Sequence, residues 1–225
     1  MDDLYGMLAA AKHVFFDFDG PICQLFADHP ASQIAERMRK VAAAQGILLE
    51  GTSDPHRLLR AAGERFIDRD VLMMLEQLLT EEEVRAAATA RPTRDADQVI
   101  QSLRAADFRI AVTTNNSAAA ATRYLSLRGL ERCFGGHVYG RSGDPERLKP
   151  DPDCVARALQ GTGADASEAV LLGDSPSDLE AARAMGVRFL GYARNERKWR
   201  LLQGAGATVV VRSLSVVLEA VRSTR

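Results

Sequence analysis

The chain has 225 residues, 46% hydrophobic and 26% charged, and this composition predicts a globular fold with one sizeable core. With 29 basic and 30 acidic side chains the formal net charge is -1, which excludes a general positive field for binding nucleic acid or anionic lipid. No apolar run reaches the ~18 residues of a membrane span, and the first residues do not form a signal peptide. We therefore expect a cytoplasmic protein that binds neither membrane nor nucleic acid.

The first predicted strand lies in KHVFFDFDG, a short apolar run that ends at Gly20. After it, the residues from about 22 to about 91 predict helices only. ASQIAERMRKVAAAQG places apolar residues on one helical stripe and ends at a glycine. A second helix is predicted to begin at Asp54, as its N-cap, and to run through the leucines before Thr80. Thr80 and Glu83 have the spacing of a capping box, which predicts that a third helix begins there.

From Pro92 onwards, predicted helices alternate with strand candidates. The candidates are continuous apolar runs, as in buried parallel strands, and they lie in RIAVT, GGHVYG, AVLLG, VRFLGYA and ATVVVRS. This alternation predicts an α/β fold, with a doubly wound, mainly parallel sheet that carries helices on both faces. We therefore predict a core domain of residues 1–20 and 92–225 and a small all-helical cap domain of residues 21–91.

Polar residues follow the predicted strands at their carboxyl ends, where ligands bind in an open parallel sheet. They are Asp17 and Asp19 after the first strand, Thr114 and Asn115 after RIAVT, Lys149 in RLKPDPD, and Asp174 and Asp178 after AVLLG. Four carboxylates close together repel one another unless a cation lies among them, and oxygen ligands favour Mg²⁺. These residues are therefore predicted to meet around a magnesium ion at one edge of the sheet.

Such a set is suited to phosphoryl transfer. Lys149 supplies a second positive charge for phosphate oxygens, Thr114 supplies a hydroxyl, and the turn at Gly20 exposes backbone N–H groups to an anion. One carboxylate of the pair Asp17 and Asp19 can attack phosphorus. The other, on the same face of an extended strand, can protonate the leaving oxygen and then accept a proton from water.

The motifs DFDGP, TTNNS, LKPDPD and GDSPSDLEAARAMG occur in the order of the four motifs of the haloacid dehalogenase-like hydrolase superfamily, which the chain resembles over residues 14–186. The helical segment after the first motif is similar to the small cap of the phosphoglycolate-phosphatase-like branch. GATVVVRSL resembles the closing strand and helix of that branch. The resemblance implies a phosphatase with a Rossmann-like core and a mobile helical cap.

The resemblance also implies a role for each acid. Asp17 would be the nucleophile and a magnesium ligand, and Asp19 would be the acid and base and give its backbone carbonyl to the metal. Asp174 would bind Mg²⁺ directly, and Asp178 would act through water or by orienting its neighbours. Ser175 and Asp178 also have the spacing of a capping-box variant, so a purely structural role for Asp178 stays open.

For the phosphate, the resemblance implies that Thr114 binds the phosphoryl group, that Asn115 assists through its amide, and that Lys149 neutralises the nucleophile and the phosphate. Pro21 departs from the family pattern, which usually has Thr or Val there; proline lacks an N–H and stiffens the following loop. Asp19 favours phosphate esters, because the dehalogenases and the phosphonate-cleaving members of the superfamily lack an acid at that place.

The expected substrate is a small phosphorylated metabolite, with phosphoglycolate as the guess that the resemblance supports. A sugar-phosphate mutase is the main alternative, since it shares every core motif. A phospho-receiver domain is disfavoured because Asp174 and Asp178 follow Lys149. A silent binding relative also stays open, and so does the choice between monomer and homodimer.

Other candidate site residues have weaker signals. The three cysteines, Cys23, Cys133 and Cys154, form no CxxC pair, which predicts reduced, mostly buried thiols; Cys23 alone stays open as a nucleophile because it follows the first motif. The four histidines have no ligand spacing and are interpreted as non-catalytic: His13, His29, His56 and His137. The arginines of the helical segment are expected to form a solvated face, with one or two open as residues of the cleft: Arg57, Arg60, Arg65 and Arg69.

Overall fold

The computed structural model describes residues 2–49, 51–65 and 68–223. In chain order the strands are β1 (His13–Phe16), β2 (Cys23–Gln24), β3 (Arg91–Pro92), β4 (Arg109–Thr113), β5 (Val138–Tyr139), β6 (Ala169–Gly173), β7 (Arg188–Tyr192) and β8 (Val209–Val211). Within the described residues, six of them form a wholly parallel sheet in the order β5-β4-β1-β6-β7-β8. The prediction of a doubly wound α/β fold is confirmed.

Helices connect the strands on both faces of this sheet. They are α1 (Asp2–Ala9), α2 (Ala31–Ala44), α3 (Pro55–Glu64), α4 (Arg69–Ala87), α5 (Ala96–Ala105), α6 (Ala118–Leu127), α7 (Glu131–Phe134), α8 (Asp153–Thr162), α9 (Pro176–Ala184), α10 (Glu196–Gly204) and α11 (Leu214–Ser223). Among the described residues, none of these helices combines the length and the apolarity that crossing a membrane requires.

The two faces of the sheet explain why β1 is a continuous apolar run. Val14 and Phe16 belong to an apolar cluster with residues of α1, α5 and α11. Phe15, which points to the opposite face, belongs to a second cluster with residues of α8 and α9. All four residues of β1 are buried, because helices cover both sides.

The strand order places a topological switch point at β1. The chain passes from β1 to β4 and β5 on one side, and later to β6, β7 and β8 on the other. The carboxyl ends of β4, β1 and β6 are therefore neighbours, and the polar residues that follow these three strands share one edge of the sheet.

Helices α2, α3 and α4 have an apolar cluster of their own, formed by Ile34, Ala35, Met38, Ala42, Leu49, Leu58, Leu59, Ala62, Val71, Leu75 and Leu79. The chain enters and leaves this helical segment through β2 and β3, which pair antiparallel. Ile22 and Leu25, next to β2, and Ala86 and Ala87, at the end of α4, belong instead to the apolar cluster that contains Val14 and Phe16. The separate helical cluster thus spans 34–79, inside the range 21–91 predicted for the cap.

Two helix predictions in this segment differ from the structure. The single helix predicted from Asp54 is two helices, α3 and α4; Phe66 and Ile67, which the prediction also covered, lie outside the described residues. The helix start predicted at Thr80 is wrong, because α4 continues through it. The Thr80 hydroxyl accepts a hydrogen bond from Arg141 Nη2 at 2.7 Å instead, so a distant residue uses the group that the local pattern assigned to a cap.

Candidate active site

All the predicted site residues line one cavity of about 220 Å³ at the shared edge of β4, β1 and β6: Asp17, Asp19, Gly20, Thr114, Asn115, Lys149, Asp174 and Asp178. Asp17 comes directly after β1, and its N–H continues the parallel ladder by donating to the Leu172 carbonyl at 2.9 Å. The sheet therefore fixes the backbone from which the first carboxylate projects.

Three of the carboxylates can hold a metal ion together. One oxygen each of Asp17, Asp174 and Asp178 lies within 4.8 Å of the other two, and all three residues are buried. Carboxylate oxygens alone are the donor set of a hard divalent cation. The Asp19 side chain is outside this group of three, so only its backbone carbonyl is left for the metal role that the resemblance implies.

Gly20 allows this convergence. Its φ is +129°, and a Cβ at this position would lie 2.4 Å from Oδ2 of Asp174. Only glycine can therefore let the backbone after β1 approach the carboxylate after β6 so closely.

The Lys149 ammonium lies between two of the carboxylates. Nζ donates to Oδ1 of Asp17 at 2.9 Å, to the Thr113 carbonyl at 3.0 Å, and to Oδ1 of Asp178. Burial opposes the charge on this ammonium, but the Asp17 and Asp178 carboxylates outweigh burial and raise the pKa of Lys149. The lysine is therefore a fixed positive charge beside Asp17.

A second lysine, which the sequence analysis did not single out, pairs with Asp174. Lys198 of α10 donates from Nζ to Oδ2 of Asp174 at 2.8 Å. Five aspartates line the cavity, with Lys149, Lys198 and Arg194 as its three cationic side chains. Their formal charges leave -2, which one divalent cation would neutralise. The charge of the site thus fits the same ion as its donor atoms do.

Burial and mutual repulsion disfavour the charged form of the carboxylates. Burial, then the Asp178 charge, raise the pKa of Asp17 to about 7 against the opposing effect of Lys149. Burial raises the pKa of Asp174 to about 6, although Lys198 lowers it. A divalent cation among these groups would restore the ionised forms, because it replaces the repulsion by attraction.

Asp19 has a different environment from Asp17. Its Oδ1 accepts a hydrogen bond from the Leu25 N–H at 2.8 Å, which fixes the side chain against the residue that follows β2. Burial raises the pKa of Asp19 to about 6, and the Leu25 bond opposes this shift. A carboxyl group with this pKa can both give and take a proton near neutral pH.

Asp178 makes contacts of both kinds that the sequence left open, at the start of α9 and with a neighbour in the cavity. It forms a capping box with Ser175 at the start of α9, with Oδ2 accepting from the Ser175 N–H at 3.1 Å. Its other oxygen contacts Lys149 inside the cavity. One side chain therefore fixes the N-terminus of α9 and the position of the lysine together.

The residues after β4 are ordered by their own contacts. Thr114 Oγ1 donates to Oδ1 of Asn116 at 3.0 Å. Asn115 Oδ1 accepts from the Lys149 N–H at 2.7 Å, and its Nδ2 donates to the Lys149 carbonyl at 3.2 Å. The Asn115 amide thus holds the Lys149 backbone, whereas the sequence analysis assigned it to the phosphoryl group.

The sequence predicted that the turn at Gly20 exposes backbone N–H groups to an anion, and the N–H of Gly20 itself is not one of them. The Gly20 N–H donates to the Cys23 carbonyl at 2.7 Å, so this donor is already used inside the turn. Pro21 is buried in the same turn. The Gly20 carbonyl accepts a hydrogen bond from Thr93 Oγ1 at 2.5 Å. This bond connects the place where the chain enters the helical segment to the place where it leaves, just after β3.

The cysteines behave as the composition predicted. All three are free, and Cys23 and Cys154 are buried. Burial, followed by the Asp19 charge, raises the pKa of Cys23 well above its ordinary value. Burial and a raised pKa both disfavour the thiolate, so Cys23 is a weaker candidate nucleophile than Asp17.

A buried network joins the helical segment to this site. Glu83 of α4 accepts from the Ser117 N–H at 2.8 Å, from Asn116 Nδ2 at 3.0 Å and from Arg141 Nη1 at 2.6 Å. Its remaining contact is with Nε2 of His56, at 2.9 Å. The side chains of Glu83 and Arg141 are at most 1% exposed, so this ion pair is shielded from water.

His56 also lines the cavity, together with Arg194 and Lys198. His56 was not predicted as a site residue, because the sequence has no second histidine at a ligand spacing from it. Lys198 and Arg194 were missed because α10 was not predicted. Asn195, which accepts the Lys198 N–H at 3.0 Å, is an N-cap signal directly after β7 that indicates this helix.

A larger cavity of about 630 Å³ adjoins the first one and shares His56, Asn115 and Lys149 with it. Arg57 and Arg60 of α3 line it, so two of the four arginines considered in the helical segment face the cleft. The other two do not line it: Arg65 donates to the Leu48 carbonyl at 2.6 Å, and Arg69 is exposed at the start of α4.

Comparison with known proteins places this site in a family. The family model of haloacid dehalogenase-like hydrolases matches residues 11–186. A phosphoglycolate phosphatase of Cereibacter sphaeroides is 31% identical over 198 residues, which cover 82% of this chain and 86% of the relative. A phosphoglycolate phosphatase of Cupriavidus necator is 38% identical over 88 residues, and that match covers 39% of this chain and only 37% of the relative.

The fold agrees with a solved structure as well. CbbY from Rhodobacter sphaeroides, in complex with phosphate, superposes with a TM-score of 0.68 over 94% of this chain and 99% of CbbY, at 20% identity. The residues matched by the family model contain all four motifs and every predicted site residue. The chain belongs to the haloacid dehalogenase-like hydrolase family.

Proposed function

We propose that the protein is a Mg²⁺-dependent phosphatase that hydrolyses a small phosphate monoester through a phospho-aspartate on Asp17. The observation that carries the proposal is the contact of the Lys149 ammonium with Asp17, beside Asp174 and inside one buried cavity. A buried nucleophile, a fixed cation and a divalent metal site are the parts that phosphoryl transfer needs.

The side chains of Asp17 and Asp174 would hold the metal, with the Asp19 backbone carbonyl, while Asp178 orients Lys149 and the start of α9. Magnesium, when bound, would oppose the negative charge of the phosphoryl oxygens. Mg²⁺ fits better than a softer metal because the donors are oxygens and the cysteines are elsewhere.

In the first step, a carboxylate oxygen of Asp17 attacks phosphorus, and the bond between phosphorus and the ester oxygen breaks. Asp19 gives its proton to the leaving oxygen, which departs as an alcohol. Lys149 favours the ionised form of Asp17 and opposes the negative charge of the phosphoryl group. Asp19 is suited to its part because burial raises its pKa to about 6.

In the second step, water attacks the phosphorus of the phospho-aspartate, and the bond between phosphorus and Asp17 breaks. The Asp19 carboxylate, deprotonated in the first step, accepts a proton from that water. Thr114 turns its hydroxyl from Asn116 to the phosphoryl oxygens in both steps. Phosphate then leaves, and the site returns to its starting protonation.

We further propose that residues 21–91 act as a cap on a core of residues 1–20 and 92–225. Closure of α3 and α4 over the cavity excludes water while the ester is cleaved, and opening releases the products. The adjoining cavity of about 630 Å³ would receive the leaving group. Phosphoglycolate is the first candidate substrate, since two relatives are named for it.

Hydrolysis is favoured over the mutase reaction because these named relatives are phosphatases. The test is release of phosphate from p-nitrophenyl phosphate, phosphoglycolate and a sugar 1-phosphate, with Mg²⁺ or with EDTA, by the parent and by Asp17→Asn. We expect Mg²⁺-dependent release and a loss of at least about 10³-fold in the variant. The matched control is Asp3→Asn, at an exposed acid of α1. Equal rates for the parent and Asp17→Asn would reject the nucleophile, and a rearranged sugar phosphate in place of free phosphate would establish the mutase.

A further inference from the structure

The peptide at Lys149 is held from two sides. On the core side, its N–H donates to Oδ1 of Asn115 at 2.7 Å. On the side of the helical segment, Nη2 of Arg60 donates to the Lys149 carbonyl at 3.0 Å and to the Leu148 carbonyl at 2.5 Å. Within residues 2–49, 51–65 and 68–223, Arg60 forms no ion pair, so its guanidinium serves these two carbonyls.

Steric contact fixes the same loop. Gly63 lies three residues after Arg60 and therefore near it on the same face of α3. A Cβ at Gly63 would lie 2.6 Å from Cγ of Pro145, in the 3₁₀ turn that leads to Lys149. The helix contacts the loop at a distance that only glycine allows, so α3 and the 145–149 loop set one another's position.

The position of this peptide decides where the ammonium lies. From it, the Lys149 side chain extends to Asp17 at 2.9 Å and to the Thr113 carbonyl at 3.0 Å, and the residue is only 4% exposed. The buried side chain has little freedom to compensate for a shift of its backbone. A displacement of about 1 Å in a catalytic group costs on the order of 10²-fold in rate.

We propose that Arg60 is a positioning residue that couples docking of the helical segment to the placement of the Lys149 ammonium beside Asp17. The proposal rests on the proposed function, because it takes Lys149 as the group that neutralises Asp17 and the phosphoryl group. A substrate then meets a complete phosphoryl site only while α3 lies against the 145–149 loop. Arg60 acts through the backbone of Lys149 and needs no contact with the reacting atoms.

Kinetics with Mg²⁺ and p-nitrophenyl phosphate separate this role from binding of the leaving group. We expect Arg60→Met to lower kcat by about 30-fold with KM within about threefold, and Arg60→Lys, which keeps one donor, to recover most of the loss. Arg39→Met is the matched control, because Arg39 donates to the Thr52 carbonyl at 2.7 Å away from the cavity; it should stay within about twofold of the parent. An unchanged kcat for Arg60→Met, or a rise in KM alone, overturns the proposal.

Crystal structures of the parent and Arg60→Met provide a readout that does not depend on turnover. We expect the 145–149 loop to shift and Lys149 Nζ to move at least about 1 Å from Asp17. An unmoved Lys149 overturns the proposal even if the phosphatase activity is present. If the parent hydrolyses no phosphate ester, the proposed function fails while the displacement still decides the role of Arg60. Should Arg60→Met not fold, Gly63→Ala makes the same test by pushing α3 away from Pro145.

Discussion

Replacing Glu83 with glutamine should weaken the attachment of α4 to the core and lower the free energy of unfolding. Burial alone would raise the pKa of Glu83, but Arg141 and then His56 outweigh it and lower the pKa from 4.5 to about 2. Because one pKa unit corresponds to about 1.4 kcal/mol, this difference makes the ionised carboxylate worth about 3 kcal/mol to the folded state. Loss of a partner from a buried ion pair costs a similar amount.

The pH dependence has a definite sign. The folded pKa lies below the unfolded one, so the stabilisation is complete above pH 4.5 and is lost as the pH falls towards 2. The stability difference between the parent and Glu83→Gln should therefore shrink from about 3 kcal/mol at pH 7 to about 1 kcal/mol at pH 3.

Urea unfolding of the parent, Glu83→Gln and Glu81→Gln at both pH values measures this difference. Glu81 is a control on the same helix; it is 49% exposed and its nearest ion-pair partner, Arg85, is 3.8 Å away. Its replacement should cost less than about 0.5 kcal/mol at either pH. A cost below about 1 kcal/mol for Glu83→Gln at pH 7, or a cost that does not fall with pH, would refute the reasoning.

Three further changes test the site itself. Gly20→Ala places a Cβ 2.4 Å from Asp174 at a φ of +129°, and should cost about 3 kcal/mol in unfolding free energy and abolish phosphate release; a stable, active variant would contradict the assigned contact. Lys149→Met leaves Asp17 and Asp178 without their cation. It should lower kcat by at least about 10²-fold in the phosphatase assay and the metal-free stability by about 3 kcal/mol in urea unfolding. If neither quantity changed, the result would contradict the role of Lys149. Mg²⁺ at a hundred times its Kd should stabilise the parent by about 2.7 kcal/mol in thermal unfolding, and Asp174→Asn should lose most of this gain; equal gains would exclude Asp174 as a ligand.

The meeting of the carboxylates was predictable from the sequence for one reason. Parallel strands end at a common edge, so residues that directly follow apolar runs are neighbours whatever their separation along the chain. Asp17 and Asp174 follow β1 and β6, which pair in register, and no loop intervenes to change their direction. Asp17, Thr114 and Asp174, which directly follow their strands, were found in this way.

Residues placed by loops and helix packing were not predictable in this way. Asn115 was expected to bind phosphate, but the loop carrying Lys149 passes close enough to take both ends of its amide. The turn at Gly20 was expected to expose its backbone N–H groups, but the N–H of Gly20 itself donates to the Cys23 carbonyl inside the turn. In both cases a backbone group elsewhere in the chain forms the hydrogen bond that the polar group was expected to offer to phosphate. No local sequence pattern predicts that this backbone group lies nearby.

The contacts between the helical segment and the core were also outside the reach of sequence reasoning. Thr80 and Glu83 have the spacing of a helix start, yet Arg141, 58 residues after Glu83, binds both of them. Because the Glu83 carboxylate is paired in this buried network, it does not take part in a capping box with Thr80. The continuous helix is then more stable than a helix that begins at Thr80. Local preference therefore gave way to tertiary contact at the interface that connects the two parts of the molecule.

The central claim, covalent catalysis by Asp17, is tested most directly by acid-quenching the protein during turnover of a ³²P-labelled substrate and mapping the labelled peptide. Asp19→Asn with labelled p-nitrophenyl phosphate is the combination to use. The p-nitrophenolate leaves without needing a proton from Asp19, so the first step proceeds, whereas the second step lacks its base. The account predicts that label accumulates on Asp17 with Mg²⁺ present and is absent in Asp17→Asn. Label on another residue, or undiminished turnover by Asp17→Asn, would contradict it.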